Sequence, residues 1–248
     1  MATIECESRT ALHELLGLLR EVDERWLGPD WLIGSPADVA EGTRAVMHML
    51  QSGLLTYFED DPDHPAFQRI VAPNRKLLGD NPDAIYYDAP VRPGGVYRIR
   101  SNMAGAIYFS LTVEYGAQEG RFGSATAGTL NDESIDVAPD GSFEVIAGGP
   151  PRPRNWLALP EGSARITTRH YFEEEHCVAA DPMRAIPFAI ETVDPLPPPA
   201  APSDASVAAG IRRVINFVRT RTLEMPKPGA AEQPPFVSTI PNQPPPPV

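Results

Sequence analysis

The spacing of apolar residues changes near residue 67, and no other feature of the chain constrains its fold as strongly. Before that point the period is helical. Leu12, Leu15, Leu16, Leu19, Val22 and Trp26 predict one amphipathic helix, which Gly28-Pro29 stops. A second helix is predicted to open at Ser35, with Ser35 as N-cap, Pro36 in the first turn and Asp38 at the third position. Its expected buried stripe is Val39, Val46, Met47, Leu50 and Leu54, and an acidic run over residues 59–63 ends it.

After residue 67 the period is two. Ile107, Phe109, Leu111, Val113 and Tyr115 alternate with polar neighbours, which predicts a strand with one buried face. Val96 to Arg100, Arg165 to Phe172 and Ala185 to Val193 read as further strands, the last an edge strand because Pro187 interrupts it. Ser134–Val137 and Ser142–Ile146 flank Ala138-Pro139-Asp140-Gly141, a turn sequence that predicts a hairpin. Short strands at regular spacing point to a sandwich or barrel, and the missing βαβ rhythm excludes a doubly wound sheet. A third helix is expected near residues 204–222, with Val207, Ile211, Val214 and Val218 as its stripe. Arg212, Arg213, Arg219 and Arg221 load its C-terminal half, where the helix dipole favours cations.

The 29 prolines concentrate in residues 192–203 and 226–248, which predicts extended, polyproline-like segments outside the core. These signals divide the chain into an N-terminal helical segment (1–66), a β-sandwich (67–194), a Pro-rich linker with a helix (195–225) and a disordered Pro-rich tail (226–248).

Four blocks carry a resemblance: GDNPDAIYYDAPV, VYRIRSNMAGAIYFSLTVEYG, AGTLNDESIDVAPDGSFEVIAGG and NWLALPEGSARITTRHYF. In this order, over roughly residues 75–175, they resemble the family called domain of unknown function 1214. The resemblance implies a jelly-roll-like antiparallel β-sandwich with helical additions, and it implies no established reaction. The expected class is therefore mainly β, with two N-terminal helices and one C-terminal helix.

A net charge of -12 argues against nucleic acid and anionic membranes, both of which want basic patches. No apolar stretch is long enough to span a bilayer, and the N-terminus carries acids in place of a signal peptide's basic start. Cys6 and Cys177 are too few for a disulfide framework, so both are read as reduced thiols in a cytoplasmic setting.

Candidate site residues follow from the strand pattern. In DNPDAIYY, Asp80 or Asn81 can close a side-chain turn, and Asp83 then leads into Tyr86 and Tyr87 on opposite faces of a strand. An aromatic ring beside carboxylates can hold a sugar or a small polar ligand. Arg165, Thr167, Arg169 and Tyr171 share one strand face, where two arginines can receive an anion or pair with an acid such as Asp136 or Glu144. Arg98 and Arg100 form a similar pair. Asn131, with Asp132 and Glu133, places an amide beside two acids in a loop. A mixed metal site from His170, Glu174 and His176 has no tight ligand spacing behind it, so neither metal nor cofactor is expected. Neither a nucleophile elbow nor a glycine-rich phosphate loop occurs.

The leading expectation is a small-ligand-binding protein for a carbohydrate-like or anionic polar molecule, using Asp83, Tyr86, Tyr87, Asn131 and Arg169. The alternatives are a hydrolase with paired carboxylates, drawn from Asp80, Asp83, Asp132, Glu133 and Glu144, acting on a glycosidic or ester bond, and an interaction protein. The last would form a homo-oligomer and recruit a protein partner through the apolar island Phe236–Ile240 of the tail.

Overall fold

A computed structural model of the chain describes residues 4–174, 176, 181 and 183–228. The apolar island of the tail and Cys177 lie outside the described residues. Two sheets and three helices make up the fold. The helices are α1 (Glu7–Arg25), α2 (Pro36–Gly53) and α3 (Asp204–Thr220). The strands are β1 (Gln68–Arg69), β2 (Ala84–Pro90), β3 (Tyr97–Asn102), β4 (Tyr108–Tyr115), β5 (Ala125–Asn131), β6 (Ser142–Ala147), β7 (Trp156–Leu157), β8 (Ser163–Tyr171) and β9 (Ala189–Thr192).

One sheet has the order β1-β2-β8-β4-β5 and the other β7-β6-β3-β9. Every pairing is antiparallel except β6 with β7. The alternation in the sequence decides the packing. Phe109, Leu111 and Val113 of β4 meet Tyr97 and Ile99 of β3 and Phe143 and Val145 of β6 in one apolar core. Ser110, Thr112 and Glu114 of β4 and Arg165, Thr167 and Arg169 of β8 therefore face away from that core.

A helical layer accompanies the sandwich. α3 packs along α1, and Leu18, Val22, Val46, Tyr57, Phe217 and Val218 form a second apolar cluster. Ser35 caps α2 as its sequence suggests: its hydroxyl accepts from the Asp38 N–H while the Asp38 carboxylate accepts from the Ser35 N–H. Gly210 lets α3 approach the chain just after α2, because a Cβ there would collide with the Phe58 carbonyl.

The α3 stripe buries Val214 and Val218 as its sequence suggests, but the stripes of α1 and α2 differ in phase from the sequence reading. α1 buries Ala11, Leu18 and Val22 and leaves Leu12 and Leu16 exposed. The seam runs through the alanine because close approach to α3 favours a small residue over a leucine. α2 likewise buries Val46 and Met49 and exposes Val39, Met47 and Leu54. Two strand expectations are also corrected. Residues 134–137 are not a strand; Asp132–Ser134 is a 3-10 turn capped by Asn131. The hairpin turn still forms, with Gly141 at φ +82° and its N–H donating to the Ala138 carbonyl at 2.8 Å. Ile107 and Tyr115, at the ends of the β4 alternation, are exposed.

His170 of β8 lies inside the sandwich against Phe109 and Phe188, with no solvent exposure. Its Nε2 contacts the Asn102 carbonyl at 3.3 Å, and Nδ1 has no partner among the described residues. Burial pushes its pKa down to about 4, so the ring is neutral in the fold. Between that value and the ordinary one near 6.5 the unfolded chain binds more protons, so stability falls as pH drops through this window. We expect unfolding in urea to show a loss of about 3 kcal/mol between pH 7.5 and pH 4 that the His170→Leu variant lacks. Parallel pH profiles for the two proteins would show that His170 does not set the acid limit.

Candidate functional site

The polar face of the five-stranded sheet gathers residues from four strands into rows. Tyr86 of β2 pairs with Arg169 of β8, Arg169 with Ser110 of β4, and Ser110 with Asn131 of β5. In the next row Asp88, Thr167, Thr112 and Thr129 align, and beyond it Glu114 pairs with Arg165.

Arg165 joins this face to the helical layer. Its Nε donates to Asp88 Oδ1 at 2.6 Å, Nη1 to Asp60 Oδ1 at 2.8 Å and Nη2 to the Thr56 carbonyl at 3.1 Å. Nη2 also touches Asp88 Oδ1, and the guanidinium lies 4.2 Å from the Tyr57 ring centre. Thr56 and Tyr57 belong to a π-helical turn, Leu54–Phe58, that continues α2. A helix end leaves carbonyls without partners, and here arginines supply them. Arg213 of α3 donates from Nε to the Tyr57 carbonyl at 2.8 Å and from Nη2 to that of Phe58 at 3.1 Å.

Burial opposes the charge on Arg165, but Asp88, Tyr57 and Asp60 outweigh it and hold the guanidinium well above its usual pKa. Burial raises the Asp60 carboxyl against the pull of Arg165, and it pushes the Tyr57 hydroxyl up to about 12. The cluster is thus ionic, buried and already satisfied.

Beside it a cavity of about 270 Å³ opens between the sheet face and the helices. Its polar wall holds Arg165, Asp88, Thr167, Glu114, Arg169, Arg221 and Ser52, and its apolar wall includes Ile70, Leu77, Leu78, Phe122 and Phe217. Two of its cations, Arg169 and Arg221, make no ion pair among the described residues. Arg169 reaches the Thr112 hydroxyl at 3.4 Å, and its charge acts on the neighbouring Tyr86. Arg221, one residue past α3, lies 3.8 Å from the Phe217 ring centre and 4.9 Å from that of Phe122. Its Nη1 donates to the Gly120 carbonyl at 3.1 Å, and burial lowers its pKa. Glu114 accepts from the Thr167 hydroxyl at 2.8 Å. Ser52 is fully buried in the wall, and its hydroxyl has no partner among the described residues.

The residues expected from sequence fall in several places. Tyr86 and Arg169 share a row; Arg169 lines the cavity, and Tyr86, just outside it, accepts from the Asn81 N–H at 3.1 Å. Asn131 ends the same row and caps the turn after β5 through its side chain. Asp83 is exposed at the entry of β2, and Asn81 closes the turn by accepting from the Asp83 N–H at 2.8 Å. Tyr87 faces the core, where its hydroxyl accepts from the Ile186 N–H at 3.1 Å, which takes it off the site face.

The arginine partners also need correcting. Arg165 pairs with Asp60 and Asp88, not with Asp136 or Glu144, because those acids sit on or near the other sheet. Arg98 and Arg100 pair with Glu144 and Glu191 on that sheet's outer surface. His170 is in the core and Glu174 pairs with Arg184, so the mixed histidine set does not assemble, and no metal-ligand group occurs among the described residues. Among the described residues no helix is long and apolar enough to cross a membrane.

Sequence reading passed over Arg221, Glu114 and Ser52. Arg221 looked like a cation at a helix end and Glu114 like the solvent side of a strand. The signal that could have found Glu114 is its in-phase position with Thr112, on the strand face opposite the apolar one.

No family model matches the chain, and no curated protein matches it. A crystal structure of an uncharacterised protein from Burkholderia cenocepacia is similar, with a TM-score of 0.74 and 24% identity over 85% of this chain. The match spans 57% of that longer chain, and it shows the shared fold alone. The VPA0106 protein from Vibrio parahaemolyticus aligns over 75% of this chain and 43% of its own, at 18% identity and a TM-score of 0.32.

Removing Arg165 would leave the buried Asp88 carboxylate and the Thr56 carbonyl without their cation and take from Asp60 its ion-pair partner. Arg165→Met is expected to lower unfolding stability by about 3–5 kcal/mol. Arg100→Met, which breaks only exposed pairs, should cost about 1 kcal/mol or less. Equal losses in urea unfolding would contradict the role given to Arg165.

Proposed function

We propose that this protein binds a small anionic molecule in the cavity between the five-stranded sheet and the helical layer. The observation that carries this reading is the pair Arg169 and Arg221, two cavity cations with no carboxylate partner among the described residues, in a chain of net charge -12. A half-buried cation without a counter-ion loses hydration and gains little in return, and a bound anion would restore the balance. The buried, unpartnered Ser52 hydroxyl in the same wall offers a further hydrogen bond. Binding is favoured over hydrolysis by the state of the acids: Asp60 and Asp88 both engage Arg165, and Glu114 is tied to Thr167.

The family resemblance, the jelly-roll-like topology and the cytoplasmic setting belong to the same proposal. They describe a carrier or sensor of small molecules.

A thermal-shift series with small anions tests the reading. At a hundred times its dissociation constant a ligand adds about 2.7 kcal/mol, or roughly 5–10 °C for a chain of this size. Arg169→Gln should abolish the shift while leaving the melting temperature of the ligand-free protein within a few degrees. An equal shift in Arg169→Gln would place the anion elsewhere.

A further inference from the structure

Resting on that anion-binding reading, we propose that the cavity selects a compact monocarboxylic acid with an apolar body. The carboxylate meets Arg169 and Arg221, and the body lies against Leu77, Leu78 and Phe122.

The charge count around the cavity sets the valence. Asp60 and Asp88 are matched by Arg165 and by Arg213, whose charge acts on Asp60. What remains is Arg169 and Arg221 against Glu114, two cations against one carboxylate. One negative charge completes the set. A dianion such as a phosphate monoester, whose second ionisation lies near pH 6, would leave a surplus negative charge beside Glu114 and Asp88 in a partly desolvated site. Arg169 and Arg221 are also forks suited to the two oxygens of a carboxylate.

The rest of the wall sets the body. Leu78 and Phe122 are large apolar side chains, 52% and 45% exposed, and both line the cavity. Leu78 holds this place with φ at +52°, a backbone conformation that leucine rarely adopts. The guanidinium of Arg221 lies against the Phe122 ring, which joins the apolar side of the cavity to the cationic end. The volume of about 270 Å³ equals that of roughly nine liquid waters at about 30 Å³ each, so the ligand has on the order of ten non-hydrogen atoms. A sugar is disfavoured, because this wall offers hydrocarbon where a sugar needs hydroxyl partners.

Isothermal titration of the whole protein at pH 7.5 with benzoate, hexanoate, acetate, benzamide and phenyl phosphate tests the assignment. The expected order places benzoate and hexanoate at least tenfold tighter than acetate, benzamide and phenyl phosphate. Arg169→Gln should weaken benzoate at least tenfold. Because Arg169 is partly exposed, that variant keeps the test open even where Arg221→Gln fails to fold. Tighter binding of phenyl phosphate than benzoate would overturn the monocarboxylate while sparing the anion-binding reading. Equal binding of acetate and hexanoate would overturn the apolar body. Benzamide equal to benzoate, or no heat from any of the five, would overturn both the inference and the reading it rests on.

Discussion

A single guanidinium couples the two halves of this fold. Arg165 leaves the middle of the five-stranded sheet and is held by Asp88 of the neighbouring strand, by Asp60 and by the Thr56 carbonyl. Buried charge is costly unless its partners are in place, so this clamp fixes where the π-helical turn after α2 must sit. The turn in turn presents carbonyls to Arg213, which sets α3, and α3 sets α1. The cavity is the space left beside this chain of contacts, between a polar sheet face and an amphipathic helical layer.

That arrangement explains why the polar residues of β4 and β8 are not simply a solvated surface. Thr112, Thr167 and Glu114 lie under or beside the helices, where each hydroxyl or carboxylate needs a partner from the protein. Most have one. Arg169 and Arg221, which form no ion pair among the described residues, and Ser52, whose hydroxyl finds no partner among them, line one volume. On the other sheet Arg98 and Arg100 answer Glu144 and Glu191, and elsewhere Lys227 answers Asp30 at 2.5 Å.

Much of the sandwich was legible because its signal is local. Alternation in β4 located Phe109, Leu111 and Val113, and the Ser35-to-Asp38 box located the start of α2. The same-face arrangement of Arg165, Thr167 and Arg169 followed from strand period alone. The stripe of α3 was read through Val214 and Val218, but the phase of the α1 and α2 stripes was not, because residues such as Ala11 gain their importance from the approach of a distant element. The site was half legible for the same reason. Arg169 could be read from its strand, but Arg221 becomes a cavity residue only once α3 lies over the sheet.

The central claim is that Arg169 and Arg221 together receive an anion. Arginine side-chain NMR reads it most directly, by following the Nε–Hε resonances as benzoate is added. The account predicts that the signals of Arg169 and Arg221 move together and saturate on one binding curve, while those of Arg98 and Arg100 stay in place. Small, unsaturating shifts spread over all the exposed arginines would contradict it.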